Sequence, residues 1–312
     1  MRAIGVTTFG GPDQLQVLDL PVPQPGPGEV RIRVHAATVN PTDTNLVAGA
    51  YHQGHDVGAD PVVPGADAAG VISAVGDGAP FTVGEQVMAI VVPTSKHGGA
   101  YVDELVVPAT QVVRTPADVD FVAASTLLMN GLTARLVLEQ LAVPTGGTIA
   151  VTGAAGAFGG YVVQLAKADG LRVVADAAEA DEELVHGLGA DEVVRRGDDV
   201  AERIRAVVSD GVDGLADGAV QNELVVGAVR DSGRIATIRG WSGPAERGIT
   251  VHPVLVFDSA DRTEVLDELR TKVEHGAVTL RVARTFPAEQ AADAHRMLAA
   301  GGVRGRIVLD FS

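Results

Sequence analysis

The stretch Thr148 to Lys167, TIAVTGAAGAFGGYVVQLAK, sets three glycines at the end of an apolar run. Gly153, Gly156 and Gly159 recur at every third position, and a helix-forming segment follows. Glycine lets a turn be tight and lets backbone approach a bulky anion. The free N–H groups of a helix start then supply positive potential for that anion. The combination suits the pyrophosphate of a dinucleotide. The spacing is Gly-x-x-Gly-x-x-Gly rather than Gly-x-Gly-x-x-Gly, so the turn alone also fits plain packing. The strand before it, the helix after it and the strand-helix series beyond favour the dinucleotide.

Two features bear on which dinucleotide is bound. Asp176 closes the second strand of this series, where an acid can hold a ribose diol; it also fits a solvated strand end. Arg195 and Arg196 follow the third strand, where a cation can meet a 2'-phosphate. The pair equally fits an exposed charged loop. No cysteine is present, which excludes disulfides, thiolate metal sites and a cysteine nucleophile. His35, His52, His55 and His97 are scattered, without acids at ligand spacing.

These groups need elements to hold them. Up to about residue 115 the chain reads as β-rich, with Val/Ile runs such as Glu29 to His35 and Gly84 to Val92 between Gly/Pro punctuation. Tyr51 to Pro64 has no periodicity and reads as a surface loop. From Asp118 to Leu141 the pattern turns helical. Strands are expected at residues 148–152, 172–176, 192–194, 212–216 and 234–238, with helices at 158–169 and about 181–187. Such alternation predicts a parallel doubly wound sheet of Rossmann type, an α/β fold. Ser259 is expected to cap a helix that Gly276 ends. Residues 306–311 read as a strand returning to the first domain. The expected division is a β-rich domain of residues 1–118 and 258–312, and a dinucleotide-binding domain of residues 119–257.

The chain has 312 residues, 46% of them hydrophobic, enough for two cores. Its net charge of −16 at pH 7 repels nucleic acid and anionic membranes, so neither is expected as a partner. No apolar run is expected to span a membrane. The first residues lack a signal-peptide layout, and a cytoplasmic protein is the expectation.

Eight short motifs, read together, resemble one family along essentially the whole chain. They are Gly10-Gly11-Pro12, Pro25-Gly26-Pro27-Gly28-Glu29-Val30, Val39-Asn40-Pro41-Thr42-Asp43 and Pro64-Gly65-Ala66-Asp67-Ala68-Ala69-Gly70-Val71. Gly98-Gly99-Ala100-Tyr101, Gly131-Leu132-Thr133-Ala134, the glycine turn from Gly153 to Gly159 and Arg304-Gly305-Arg306-Ile307-Val308-Leu309 complete the set. The chain resembles the zinc-independent quinone oxidoreductase branch of the medium-chain dehydrogenase/reductase superfamily. The resemblance implies a GroES-like catalytic domain beside the Rossmann domain, a homodimer, and an NADPH-dependent reductase of small molecules such as quinones or activated enones.

The resemblance also implies roles. Asn40 is the expected group for orienting a carbonyl or the nicotinamide. Tyr51 could line the site or donate a proton, and Thr133 would lie near the nicotinamide. Arg306 matches a basic position beside the cofactor, and the 2'-phosphate contact would fall on Arg195 and Arg196. Asp43 and Asp67 match family positions and also fit structural roles. Ala157 stands where the family's turn has a glycine, and Phe158 follows it, so their side chains must point away from the phosphates. The acidic run Glu179 to Glu183 argues against a second phosphate nearby and keeps NADH open. Asn40, Ala66 and Met129 stand where zinc-dependent relatives hold the metal, and alanine offers no lone pair. Two further readings stay open, an enoyl-thioester or alkenal reductase of the same fold and a non-catalytic NADPH-binding protein.

Overall fold

The computed structural model describes residues 1–51, 61–243 and 246–312. His52 and His55, and most of the loop read from Tyr51 to Pro64, lie outside the described residues. The chain divides into two compact units.

The first unit holds residues 1–129, 257–274 and 280–312. Its elements begin with β1 (Arg2–Gly5), β2 (Gln16–Asp19), β3 (Glu29–Val39), α1 (Pro41–Val47), β4 (Asp67–Val75), β5 (Gln86–Ile90), β6 (Glu104–Pro108) and β7 (Val112–Arg114). Next come α2 (Phe121–Ala124) and α3 (Leu128–Leu141), the latter running on into the second unit's sequence. In that unit follow β8 (Thr148–Thr152), α4 (Ala157–Ala168), β9 (Arg172–Ala177), α5 (Glu182–Gly187), β10 (Glu192–Arg195), α6 (Val200–Val207), β11 (Val212–Asp217), β12 (Val229–Thr237) and β13 (Thr250–Pro253). The chain closes with α7 (Thr263–Glu274), β14 (Val282–Pro287), α8 (Ala291–Ala300) and β15 (Arg306–Asp310).

Alternating burial along β3 sends one face into a core built on Ile32, Val34, Ile72, Leu105 and Tyr101. The large sheet of this unit runs β14-β15-β3-β4-β5-β7, with β6 also pairing to β3. The strand expected to return to the first domain is β15, which pairs antiparallel with β3 and brings Ile307 opposite Val39. The second unit is a six-stranded sheet in the order β10-β9-β8-β11-β12-β13, every pair parallel. Numbered from its first strand that order is 3-2-1-4-5-6, the doubly wound arrangement. Its strand order reverses between β8 and β11, and ligands of such sheets bind at the carboxyl ends there.

Several local expectations fail, each for a readable reason. The helical run from Asp118 to Leu141 is two helices. Ser125 Oγ and Thr126 Oγ1 donate to the carbonyls of Val122 and Ala123, and such back-bonding competes with the helix ladder. Residues 119–129 fall in the first unit rather than with the dinucleotide-binding residues. Contrary to the reading of hydropathy, the segment Phe121–Leu141 is long and apolar enough to cross a membrane, but 72% of its most apolar window is buried inside the protein, as in a core helix. Ser259 ends a short 3-10 turn instead of capping α7, which starts at Thr263. Gly276 does follow that helix, with φ +70°.

Candidate functional site

At the carboxyl end of β8 each of the three glycines answers a different demand. Gly153 has φ +68°, and a Cβ there would lie 3.0 Å from the carbonyl carbon of Gly218, just beyond β11. A side chain is excluded by both conformation and space. Gly159 sits in the first turn of α4, where a Cβ would fall 2.3 Å from the Gly153 oxygen. It lets the helix seat against the turn. Gly156 is the N-cap of α4, and a Cβ there would meet only the Gly153 oxygen, at 3.1 Å. Gly156 has no side chain with which to cap this helix. Its first-turn amides therefore face out of the turn without an intrahelical acceptor. Phe158 is buried, and its ring fills the space a Cβ on Gly218 would need, 2.9 Å from that position.

Asp176, on β9, is 5% exposed, and its Oδ1 accepts from the Gly153 N–H at 2.7 Å and the Ala154 N–H at 3.4 Å. Burial pushes this carboxyl above its usual range, while the turn amides and the positive charge of Arg196 oppose the shift. One oxygen of the acid expected to hold a ribose diol thus pins the glycine turn. On the other side, Thr152 Oγ1 donates to Asp217 Oδ1 at 2.7 Å, tying the two strands at which the order reverses.

The structure separates the two arginines after the third strand. Arg195 ends β10 and reaches Glu179 at 3.4 Å and Glu182 at 3.2 Å. Its guanidinium is committed to the acidic run. Arg196 is exposed and forms no ion pair among the described residues. Adjacent residues at a strand end point to opposite sides, which explains the divergence.

In the first unit, four polar side chains meet where β3, β4 and β15 come together. Arg306 Nη2 donates to Thr38 Oγ1 at 2.5 Å, Asn40 Oδ1 at 2.7 Å and Asp67 Oδ2 at 2.9 Å. Asn40 Nδ2 donates to Asp67 Oδ2 at 3.2 Å, and Asp67 Oδ1 accepts the Met129 N–H at 2.7 Å. Asn40 and Asp67 are each 1% exposed and Arg306 is 3% exposed. Arg306 Nη1 is buried and has no hydrogen-bond partner. A buried charge is tolerated when paired and hydrogen-bonded, and this one is only partly so.

Both ends of the Asn40 amide are engaged in this cluster, Oδ1 accepting from Arg306 and Nδ2 donating to Asp67, with one lone pair of Oδ1 left over. Of the other expected groups, Thr133 is buried on α3, and Tyr51 is 51% exposed and makes no hydrogen bond with this cluster. Of the three positions where zinc-dependent relatives hold metal, Asn40 faces a guanidinium, Ala66 is fully buried and Met129 offers its backbone to Asp67. Among the described residues no three His, Cys, Asp or Glu side chains converge as a metal site. A second buried group lies beside the cluster. It joins Asp43 of α1, Tyr101 and His295 of α8; the sequence points to Asp43 and, within a motif, to Tyr101, but not to His295.

A doubly wound sheet with a glycine turn at its strand reversal, in one chain with a β-rich unit, is the architecture of the medium-chain dehydrogenase/reductase class. Residues 26–117 match the family described as alcohol dehydrogenase GroES-like domain, and residues 188–309 match that described as zinc-binding dehydrogenase. A quinone oxidoreductase of Lama guanicoe is 30% identical, covering 99% of this chain and 97% of that one. A 2-haloacrylate reductase of a Burkholderia species is 33% identical, with 96% of each chain covered. Among solved structures, an NAD-dependent alcohol dehydrogenase superposes with TM-score 0.87 at 29% identity over the whole of both chains. A mycobacterial protein in complex with NADPH superposes with TM-score 0.85 at 28% identity, covering 99% of this chain and 100% of that one. The chain belongs to the quinone oxidoreductase branch of the medium-chain dehydrogenase/reductase superfamily and is an oxidoreductase.

Proposed function

We propose that this protein is an NADPH-dependent reductase that delivers hydride, without zinc, to a quinone or another activated enone. The observation that carries the reading is the glycine turn from Gly153 to Gly159 at the carboxyl end of β8, where the strand order reverses. Without a Cβ at Gly156 the backbone can approach a pyrophosphate closely, and the N-terminus of α4 gives it positive potential. The nicotinamide cofactor, when bound, supplies the hydride. Gly153, Gly156, Ala157, Phe158 and Gly159 bind through backbone, Asp176 holds the turn in shape, and Thr133 lies toward the nicotinamide.

Cofactor choice falls on Arg196. It stands exposed after the third strand, in no ion pair among the described residues, whereas Arg195 neutralises part of the acidic run that would repel a phosphate. A guanidinium fork holds a phosphate by two charge-assisted bonds. Against zinc stands the donor set: an alanine, a methionine and an asparagine turned to a buried cation are a poor site for a second cation. With no Lewis acid, the substrate must already accept hydride well, as quinones and activated alkenes do. Arg306 and Asn40 set the field around the reacting oxygen, and Tyr51 stays a candidate for the substrate side. The 2-haloacrylate reductase relative favours an alkene as the runner-up substrate class. A homodimer without membrane or nucleic-acid partners, working in the cytoplasm, completes the reading.

Calorimetric titration with NADPH and NADH tests the cofactor assignment. NADPH should bind tighter by roughly 1.5–3 kcal/mol, the worth of one charge-assisted contact. Equal affinities would refute the assignment to Arg196.

A further inference from the structure

Asp43 ties together the two loops that carry the buried cluster. Its Oδ2 accepts the Asn40 N–H at 2.7 Å, and its Oδ1 accepts the Gly65 N–H at 3.0 Å. The Tyr101 hydroxyl lies 3.3 Å from the same Oδ2 and 3.2 Å from His295 Nε2. His295 Nδ1 lies 3.5 Å from Thr44 Oγ1, and Thr44 is half-buried, the one member that water can reach. Asp43, Tyr101 and His295 are all fully buried.

A phenol has one proton to donate, and a neutral imidazole carries one N–H and one bare nitrogen. The chain of contacts can therefore run in only two senses. We propose that Asp43, Tyr101, His295 and Thr44 form a reversible proton wire that controls the charge beside Arg306, Asp67 and Asn40. In the first sense Asp43 is a carboxylic acid donating to the Tyr101 oxygen. Tyr101 then donates to His295 Nε2, and His295 Nδ1–H donates to Thr44. In the second sense Asp43 is a carboxylate. Its proton has passed to the Tyr101 oxygen, the tyrosine's own proton has passed to Nε2, and the Nδ1 proton has left past Thr44 to water. One proton is released, and His295 ends as the Nε2–H tautomer, still neutral.

The surroundings suit this exchange. Burial pushes Asp43 up to about 7, helped by the negative charge of Asp67 and opposed by the Asn40 and Gly65 amides and by Arg306. Burial holds His295 down at about 4, so it stays neutral while Asp43 titrates. Tyr101 is held well above its usual range by burial and by Asp43, so it relays a proton without ionising. With Asp43 protonated, Arg306 and Asp67 balance. With Asp43 ionised, the cluster carries one net negative charge, which opposes negative charge developing on a substrate oxygen. Tyr101 and His295 touch no substrate and are positioning residues. That catalytic consequence rests on the hydride-transfer reading above, whereas the wire itself does not.

The experiment is nitrogen-15 NMR of histidine-labelled full-length protein without cofactor, followed across pH. His295 should change from the Nδ1–H to the Nε2–H tautomer with a midpoint near 7, and Tyr101→Phe should abolish the change. One tautomer throughout, or protonation of His295 in the same range, overturns the wire. If the variant folds poorly, the carbon-13 carboxyl signal of wild-type Asp43 gives the same answer. It must titrate with the tautomer change at one midpoint, and two separate midpoints overturn the proposal. Quinone reduction by wild type should lose on the order of fivefold in kcat/KM across that midpoint, the effect of one added charge at neighbouring distance. A tautomer change without any turnover would support the wire and refute the hydride-transfer reading. A fall in turnover without the tautomer change would overturn the wire.

Discussion

Replacing Arg306 with methionine keeps most of its bulk and removes a buried cation. In the native protein Asp67 is 1% exposed and faces the guanidinium at 2.9 Å. Without it, the carboxylate keeps only neutral donors: Thr38 Oγ1 at 2.6 Å, Asn40 Nδ2 at 3.2 Å and the Met129 N–H at 2.7 Å. Orphaning one partner of a buried pair costs about 3–5 kcal/mol. The three remaining donors place this case toward the lower end. Against a typical total of about 5–15 kcal/mol, that is a large loss. The double variant Asp67→Asn with Arg306→Met removes both charges and keeps an acceptor for Met129. It should recover at least about 2 kcal/mol of the loss, since the penalty comes from the unpaired charge rather than from the missing pair. Urea unfolding gives the energies, and amide exchange at β3, β4 and β15 locates the change in the first unit. A single-variant cost under about 1 kcal/mol, or a double variant no better than the single, would refute the argument that this pair is desolvated and coupled.

Gly156→Val should abolish NADPH binding while leaving the unfolding midpoint nearly unmoved, because a Cβ there meets only one backbone oxygen. Gly159→Val should instead prevent folding of the second unit, where a Cβ would lie 2.3 Å from that same oxygen; calorimetric titration and circular dichroism separate the two. Arg196→Ala should erase most of the preference for NADPH, whereas Arg195→Ala should leave the preference largely in place; a preference that follows Arg195 refutes the assignment. Stability should also depend on pH in two opposed ways. His295 is depressed from 6.5 to about 4, so it contributes stability above its unfolded value that is lost as pH falls toward 4. Asp43 is raised from 3.8 to about 7, so it contributes stability that is present below 3.8 and lost as pH rises through 7. His295→Gln should therefore flatten the acid-side loss and keep the alkaline-side one, a result that denaturant unfolding across pH can check.

The parts of this molecule that were legible in its sequence are local or periodic. The glycine turn lies in one short segment, and its strand and helix carry their own apolar patterns, so its place at the head of a doubly wound sheet could be inferred. What stayed hidden depends on folding distant residues together. Asp43, Tyr101 and His295 belong to three separate segments, and no spacing rule links them. Arg195 and Arg196 looked equivalent because adjacent residues differ only in which side of the strand end they face. Asn40 looked available because its partner Arg306 arrives from the far end of the chain, on β15. β13 and β14 were missed because each is a short edge strand, largely exposed, with little apolar alternation to mark it.

Hydride transfer from NADPH without a metal is open to one direct measurement. Protein treated with a strong chelator, verified metal-free by elemental analysis, is mixed with NADPH and a panel of quinones and activated enones while absorbance of the reduced nicotinamide is followed. The account predicts steady oxidation of NADPH with at least one acceptor, undiminished by the chelator. Activity that disappears on chelation and returns with zinc would contradict it, as would NADPH that binds yet is oxidised by none of the acceptors.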